Sequence, residues 1–250
     1  MTAQKISTWL QDYLETNNLK TFVVGVSGGI DSAVTSTLCA MTGITTVAVN
    51  LPLHSSDDNT GLSNLHLEWL RKNYENVQTD VVHLDSVFDC FAEALQHYGS
   101  ALGFVNSKSR LRMVSLYQIA ANTRGIVVGT GNKVEDFGVG FFTKYGDGGV
   151  DISPIADLTK TQVRQLAKEL GIQQEILDAP PTDGLWEDSR TDEDQIGASY
   201  EELEWAMDYI ENNRLYSLTS RQKEVIMLYK KFNHLNAHKM KSVPVFKLGG

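Results

Sequence analysis

An α/β fold, a parallel sheet covered by helices on both faces, is what this sequence predicts, and three observations carry the expectation. Short apolar runs alternate with longer stretches of helical spacing. The runs are apolar throughout instead of alternating, as strands buried on two faces require. Several end in polar, glycine- or aspartate-rich punctuation, the kind of sequence that builds loops at one edge of a sheet, where α/β proteins bind their ligands.

Taken in order, a helix near 3–17 opens the chain, with polar and apolar residues at helical spacing and none of the continuous apolar run of a signal peptide. Val23, Val24 and Val26 suit a buried strand over 21–26, and Ile30, Ala33, Val34, Thr37 and Leu38 then recur at helical spacing over 30–42. Gly28 and Gly29 therefore fall at a strand-to-helix turn. A strand at 45–51 leaves through LPLHSSDDN, followed by a helix near 58–74, a strand at 79–84, helices at 86–97 and 106–123, and a strand at 126–130 leaving through GTGNKVED. After FFTKYGDGG, a helix at 159–170 is stopped by Gly171, and helices near 199–212 and 219–234 finish the chain. The stretch 180–200 between them is long, acidic and rich in Pro, Gly and Asp, the composition of a mobile loop that closes over a site. One domain over 1–250 is expected, with no internal repeat.

The helix at 106–123 differs from the others. Leu111, Met113, Val114, Leu116, Tyr117, Ile119, Ala120 and Ala121 cover nearly its whole circumference, whereas a surface helix shows a single apolar stripe. It is expected to be a central core helix or a subunit interface, and a symmetric dimer is the commonest assembly.

With 250 residues, 42% hydrophobic and 21% charged, the composition is that of an ordinary globular protein. No apolar stretch approaches the roughly 20 residues that span a bilayer, so a cytoplasmic protein without membrane contact is expected. The net charge of −9 is uneven: from Arg214 onward there are eight Lys or Arg and one acid, Glu224, against 14 basic and 30 acidic residues before it. An acidic body excludes a general nucleic-acid surface. The basic tail either neutralises that body or helps to hold an anionic substrate. Cys39 and Cys90 lie in apolar helical patterns with no CxxC, and are expected to be buried free thiols.

Ser27-Gly28-Gly29-Ile30-Asp31-Ser32 carries the most chemistry. Glycines at such a turn let backbone N–H groups approach an anion, and the following helix presents its positive dipole end to the same place. The lysine of a GxxxxGK[ST] loop is absent, and Asp31 beside a phosphate nest makes sense with a divalent cation between them. The segment resembles the pyrophosphatase loop of enzymes that adenylate a substrate and release pyrophosphate. Together with Gly129-Thr130-Gly131-Asn132-Lys133-Val134-Glu135 and GFFTKYGDGGVDISPIADLTKTQV, it is similar to the bacterial ammonia-dependent NAD synthetases, from about residue 20 to the pair at 238–239.

The resemblance implies a Rossmann-like ATP-pyrophosphatase fold, a homodimer built on the helix at 106–123, ATP as co-substrate and Mg²⁺. The implied reaction adenylates the nicotinate carboxylate of deamido-NAD, and ammonia then displaces AMP to give the amide. It assigns ATP contacts to Gly25, Val26, Ser27, Gly28, Gly29, Ile30, Asp31, Ser32, Thr130, Lys160 and Thr182, and magnesium to Asp31 and Glu135. The deamidated dinucleotide falls to Arg110, Lys144, Asp151, His238 and Lys239. Asp31 and Lys160 are the expected catalytic groups, with Asp151 the candidate general base. A lysine at the start of the 159–170 helix opposes the helix dipole, which a bound anion would offset.

The chain departs from relatives at Ile30, where Gln or Thr is frequent, and at Thr130-Gly131-Asn132, where relatives carry Thr-Asp-His. Neither cysteine has the context of a glutaminase nucleophile, so free ammonia is the expected nitrogen donor. Three other readings compete. One is the same chemistry on nicotinic acid mononucleotide. The second is another pyrophosphatase-group enzyme, such as a guanylate-forming amidotransferase subunit or a tRNA-thiolating enzyme; thiolation would want paired exposed cysteines and a basic face. The last is a non-catalytic adenine-nucleotide sensor, which would have no reason to keep Asp31, Glu135 and Lys160 together.

Overall fold

The apolar runs pair side by side in the computed structural model, which describes residues 2–55, 57–181, 191–212, 214 and 217–248. Strands β1 (Thr21–Gly25), β2 (Thr46–Asn50), β3 (Val77–Val81) and β4 (Gly125–Val127) form one parallel sheet in the order β3-β2-β1-β4. Phe22 aligns with Thr46 on one side and Ile126 on the other. The chain steps outward from β1 to β3 and then crosses back to lay β4 on the far side of β1. Strand order therefore reverses between β1 and β4, which opens a crevice at their carboxyl ends.

Period-two geometry distributes the β1 side chains between two cores. Phe22 and Val24 pack with α1 (Thr2–Thr16), α2 (Ile30–Ala40), Val163 and Leu166. Val23 packs on the opposite face with Val47, Phe88, Met113 and Leu116, from α4 (Asp85–Ala94) and α5 (Ala101–Thr123). The helix α3 (Asp57–Asn73) covers β2 and β3 through Leu67 and Leu70. The edge strand β3 begins at Val77, two residues before the predicted start, because its pairing with Thr46 sets the register.

Three further differences have local causes. The helix α5 begins at Ala101, since the Ser100 hydroxyl accepts the Gly103 N–H and caps it early. Its apolar circumference is not all buried: Met113, Leu116 and Ala120 face the core, while Val114 is 65% and Tyr117 38% exposed. The reading as a central core helix is thereby set aside. Cys39 is buried, but Cys90 is exposed, contrary to expectation, because it lies two residues from Phe88 and so on the other side of the amphipathic α4.

Beyond the sheet, a π-helical turn (Lys133–Val139) was not predicted, and neither were the short helices α7 (Gln174–Asp178) and α8 (Asp192–Ile196) that flank α6 (Lys160–Glu169) and the 182–190 segment. A separate apolar cluster joins the π-turn to α9 (Tyr200–Glu211) and α10 (Ser220–Met240) through Val134, Val139, Leu203, Val225 and Tyr229. Because α10 continues to Met240, His238 and Lys239 stand on a helix and not in a loose tail.

Candidate active site

The reversal point between β1 and β4 is occupied by the two most informative loops. After β1, Gly28 adopts φ +89°, a left-handed conformation that glycine takes without strain, and Gly29 then caps α2. Two serines brace the turn. Ser32 Oγ donates to Gly29 O at 2.8 Å and accepts from the Ser27 N–H at 3.2 Å, while Gly29 N–H donates to Ser27 Oγ at 3.3 Å. The result is a rigid loop at the N-terminal end of an eleven-residue helix, the place where an anion is best accommodated.

After β4, Asn132 is fully buried and caps the π-turn, its Oδ1 accepting the Val134 and Glu135 N–H groups at 3.2 Å each. Asn132 thus fixes the backbone of Glu135. Four residues beyond that turn, Thr143 N–H and Ser109 Oγ both bond the Asp147 carboxylate, locking the Gly-rich loop onto α5.

Lys160 ties the two loops together. It is the first residue of α6, capped by Thr159 and Gln162, and it is 3% exposed. Its ammonium lies 2.5 Å from Asp31 Oδ2 and 2.9 Å from Glu135 Oε1. The unfavourable helix position is compensated by these two carboxylates, where the sequence suggested a bound anion. Burial penalises all three charges. Lys160 nevertheless stays protonated, its pKa raised by the two carboxylates. Burial pushes Glu135 up, but Lys160 and the Tyr200 hydroxyl outweigh it and hold Glu135 below its ordinary value; at Asp31, burial wins and the value is raised.

The oxygen inventory suits a hard divalent cation. Asp31 Oδ1 is buried with no hydrogen-bond partner, although the other oxygen of the same carboxylate is held by Lys160. Among the described residues no group of three or more His, Cys, Asp or Glu side chains could hold a metal alone. Two carboxylates, with phosphate and water oxygens filling the remaining positions, is the donor set Mg²⁺ prefers.

These groups line a cavity of about 660 Å³. The β1 loop from Gly25 through Ser32 lines it with Thr130, Glu135 and Lys160, and so do Pro180, Pro181, Asp192 and Lys239. Thr182 and the rest of 182–190 lie outside the described residues; the remainder of the expected lid, from Thr191 to Tyr200, contains α8 and the first residue of α9.

The residues expected at the acid substrate divide into two groups. Lys239 lies at the cavity, its ammonium 2.6 Å from Phe142 O and 4.9 Å from the centre of the Phe142 ring. Arg110, Lys144 and His238 form a chain outside it: Arg110 Nε donates to Lys144 O at 3.2 Å, and Lys144 Nζ donates to His238 O at 2.8 Å. Arg112, missed in the sequence, lines the cavity instead and donates to Leu51 O at 3.0 Å. Residues two apart on a helix face opposite sides, so the pair Arg110 and Arg112 straddles α5. Asp151 braces the end of β4, accepting Val127 N–H at 2.8 Å and the Tyr117 hydroxyl at 3.0 Å. Burial and this carboxylate push the Tyr117 pKa up to about 12.

Tyr200 and Asp136 also escaped the sequence reading. Asp136 follows Glu135 along the cavity wall, and burial raises its pKa well above the usual carboxylate range. Tyr200 is 1% exposed, and its hydroxyl donates to Glu135 Oε1. An Asn-x-x-Glu capping pattern could have flagged Asn132; nothing local marks Tyr200.

A family model described as NAD synthase matches residues 2–243. The NH(3)-dependent NAD(+) synthetase of Carboxydothermus hydrogenoformans is 36% identical over 211 residues, covering 80% of this chain and 82% of the relative. That of Saccharolobus solfataricus is 36% identical over 252 residues, covering 96% and 87%. Among solved structures, an NMN synthetase from Francisella tularensis superposes with a TM-score of 0.86 at 32% identity, covering 99% of this chain and 98% of the other. An NH3-dependent NAD synthetase from Campylobacter jejuni, at 24% identity, shares the fold with a TM-score of 0.80, covering 98% and 97%.

Proposed function

The chain belongs to the NAD synthase family, and from that premise we propose that it is an enzyme converting deamido-NAD to NAD, using ATP to activate the nicotinate carboxylate and ammonia to displace AMP. The observation that carries the reading is the junction of Lys160, Asp31 and Glu135 at the open end of the phosphate-type loop, inside one large cavity.

Each group has a task in that reaction. A carboxylate is a poor electrophile, and transfer of AMP to it supplies a leaving group that ammonia can replace. The braced turn from Ser27 to Ser32 and the amino end of α2 hold the ATP phosphates. Asp31 and Glu135 would hold Mg²⁺, which when bound neutralises and aligns phosphate oxygens. Lys160 stands between the two acids and, once phosphate is present, donates to it as pyrophosphate departs. Lys239 and Phe142, which also line the cavity, offer a cation and an aromatic ring for the acid substrate. Asp151, with both oxygens engaged in bracing β4, is better read as a positioning group than as the base for ammonia.

The outer chain of Arg110, Lys144 and His238 beside the exposed flank of α5 supports a homodimer in which a second copy completes the dinucleotide site. Pro180, Pro181 and Asp192, which line the same cavity, would help to shield the acyl-adenylate from water. Likeness to the Francisella NMN synthetase favours a second reading, in which the acid substrate is nicotinic acid mononucleotide. Pyrophosphate release that depends on both acid and ammonia tests the reaction class. The ratio of kcat/KM for the two acids decides between the substrates, and a higher value for the mononucleotide would overturn the first reading.

A further inference from the structure

We propose that Tyr200 is a positioning residue for the metal site, holding the Glu135 carboxylate and the Lys160 ammonium in register through one buried side chain. This rests on the reading of Asp31 and Glu135 as cation ligands. Two observations support it independently of one another. The Tyr200 hydroxyl is hydrogen-bonded to Glu135 Oε1, the same oxygen that accepts from Lys160, so both donors converge on one atom and leave Oε2 for another ligand. The Tyr200 ring lies under the Lys160 ammonium, 4.7 Å from its centre. A phenol can do both, since its face attracts a cation while its edge carries a donor.

Tyr200 is itself over-determined. It is the first residue of α9, its N–H donates to Glu193 Oε1 at 2.9 Å, and its ring is packed in the C-terminal cluster. Its hydroxyl also lies 3.0 Å from Asp192 Oδ2, and the Asp192 N–H donates to Pro181 O at 3.1 Å. The chain therefore leaves toward 182–190 and returns at a point bonded to the side chain that orients Glu135. A carboxylate oriented by such an outer partner binds its cation more tightly, and loss of the partner typically weakens affinity or activity by about 10- to 100-fold.

The test is calorimetric titration of the full-length protein with ATP, with and without Mn²⁺, in the absence of acid substrate. In the wild type Mn²⁺ should tighten ATP binding, and Asp31→Asn should remove that effect. Tyr200→Phe, which keeps the ring under Lys160, should reduce the Mn²⁺-dependent tightening by about tenfold or more while leaving the Kd for metal-free ATP unchanged. Leu203→Ala, a core change on the same helix, should keep the Mn²⁺ effect. If Tyr200→Phe does not fold, the Tyr200→Phe, Asp192→Asn double variant relieves the buried charge and is read the same way. No Mn²⁺ effect in the wild type would overturn the metal reading and this proposal with it. A wild-type Mn²⁺ response lost in Asp31→Asn but retained in Tyr200→Phe, or an equal loss in Leu203→Ala, would overturn the proposal alone.

Discussion

Lys160 Nζ lies 2.5 Å from Asp31 Oδ2, although 129 residues separate them in the chain. With Glu135 at 2.9 Å on the other side, a single ammonium joins the loop after β1 to the π-turn after β4. Replacement of Lys160 by Met should therefore damage both stability and rate. Two neighbouring carboxylates lose their cation, and breaking a buried pair from one side costs about 3–5 kcal/mol. Loss of a donor to developing phosphate charge costs about 10²-fold or more in kcat. Thermal unfolding and pyrophosphate release measure the two effects separately, and an unchanged melting temperature would contradict the structural part.

Asp31→Asn and Glu135→Gln should each lower amidation by about 10²-fold or more, in line with lost metal-assisted stabilisation of charge. Their effect on stability should be smaller than that of Lys160→Met, because each leaves the ammonium one remaining acid. Assay across a Mg²⁺ titration distinguishes ligand loss from misfolding. Wild-type rates at limiting Mg²⁺ in either variant would refute their assignment as cation ligands.

Free ammonia should drive the isolated chain and glutamine should not. Cys39 is buried, with its thiol pKa pushed up by desolvation, and Cys90 is exposed on α4 away from the cavity residues. A glutaminase nucleophile needs an accessible thiolate. Turnover with glutamine after ammonia has been scavenged would disprove this, and Cys90→Ser should leave ammonia-driven turnover unchanged.

Acid should weaken the fold through His66. Its ring is fully buried, 3.0 Å from Ser36 Oγ and 3.2 Å from Gln173 Oε1, and stacks on Trp69 at 5.6 Å. It thereby ties α2 and α3 to the connection following α6. Burial lowers its pKa from 6.5 to about 4. Between those values the unfolded chain binds the proton and the folded chain does not, so this contribution is complete above pH 6.5 and is lost as pH falls toward 4, by at most about 1.4 kcal/mol per pH unit. Urea unfolding at pH 7.5 and pH 5 should show a larger acid loss in the wild type than in His66→Gln. Equal losses would mean that His66 contributes nothing to the acid sensitivity.

Truncation after Asn236 should raise KM for the acid substrate. Asn233 and Asn236 donate to Gly138 O and Val139 O at 2.8 Å each, and Lys239, three residues further along the same face of α10, donates to Phe142 O. Gly140, at φ +63°, permits the close approach: a Cβ there would lie 2.6 Å from the Asn236 Cβ. Removal of 237–250 keeps the two asparagine bonds and deletes the lysine, so the fold should survive while kcat/KM for the acid falls. An unchanged kcat/KM would leave Lys239 with a surface role only.

What could be read from the residues alone was set by short-range physics. Apolar runs and helical spacing located the strands and most helices within a few residues, and Ser27 to Ser32 announced a phosphate-type turn because its glycines and serines act on backbone within six positions. The π-turn and the early start of α5 were missed, since each depends on a cap, Asn132 or Ser100, whose effect is decided by how the backbone enters the helix. Tertiary structure alone decided which groups meet. The sequence pointed to Arg110 and not to Arg112, yet on α5, packed through Met113 and Leu116, it is Arg112 that lines the cavity while Arg110 bonds Lys144 O outside it. Tyr200 reaches Glu135 across 65 positions and Lys160 reaches Asp31 across 129. No local periodicity encodes such encounters, because they arise from the order in which strands cross the sheet and from the direction each helix takes on leaving it.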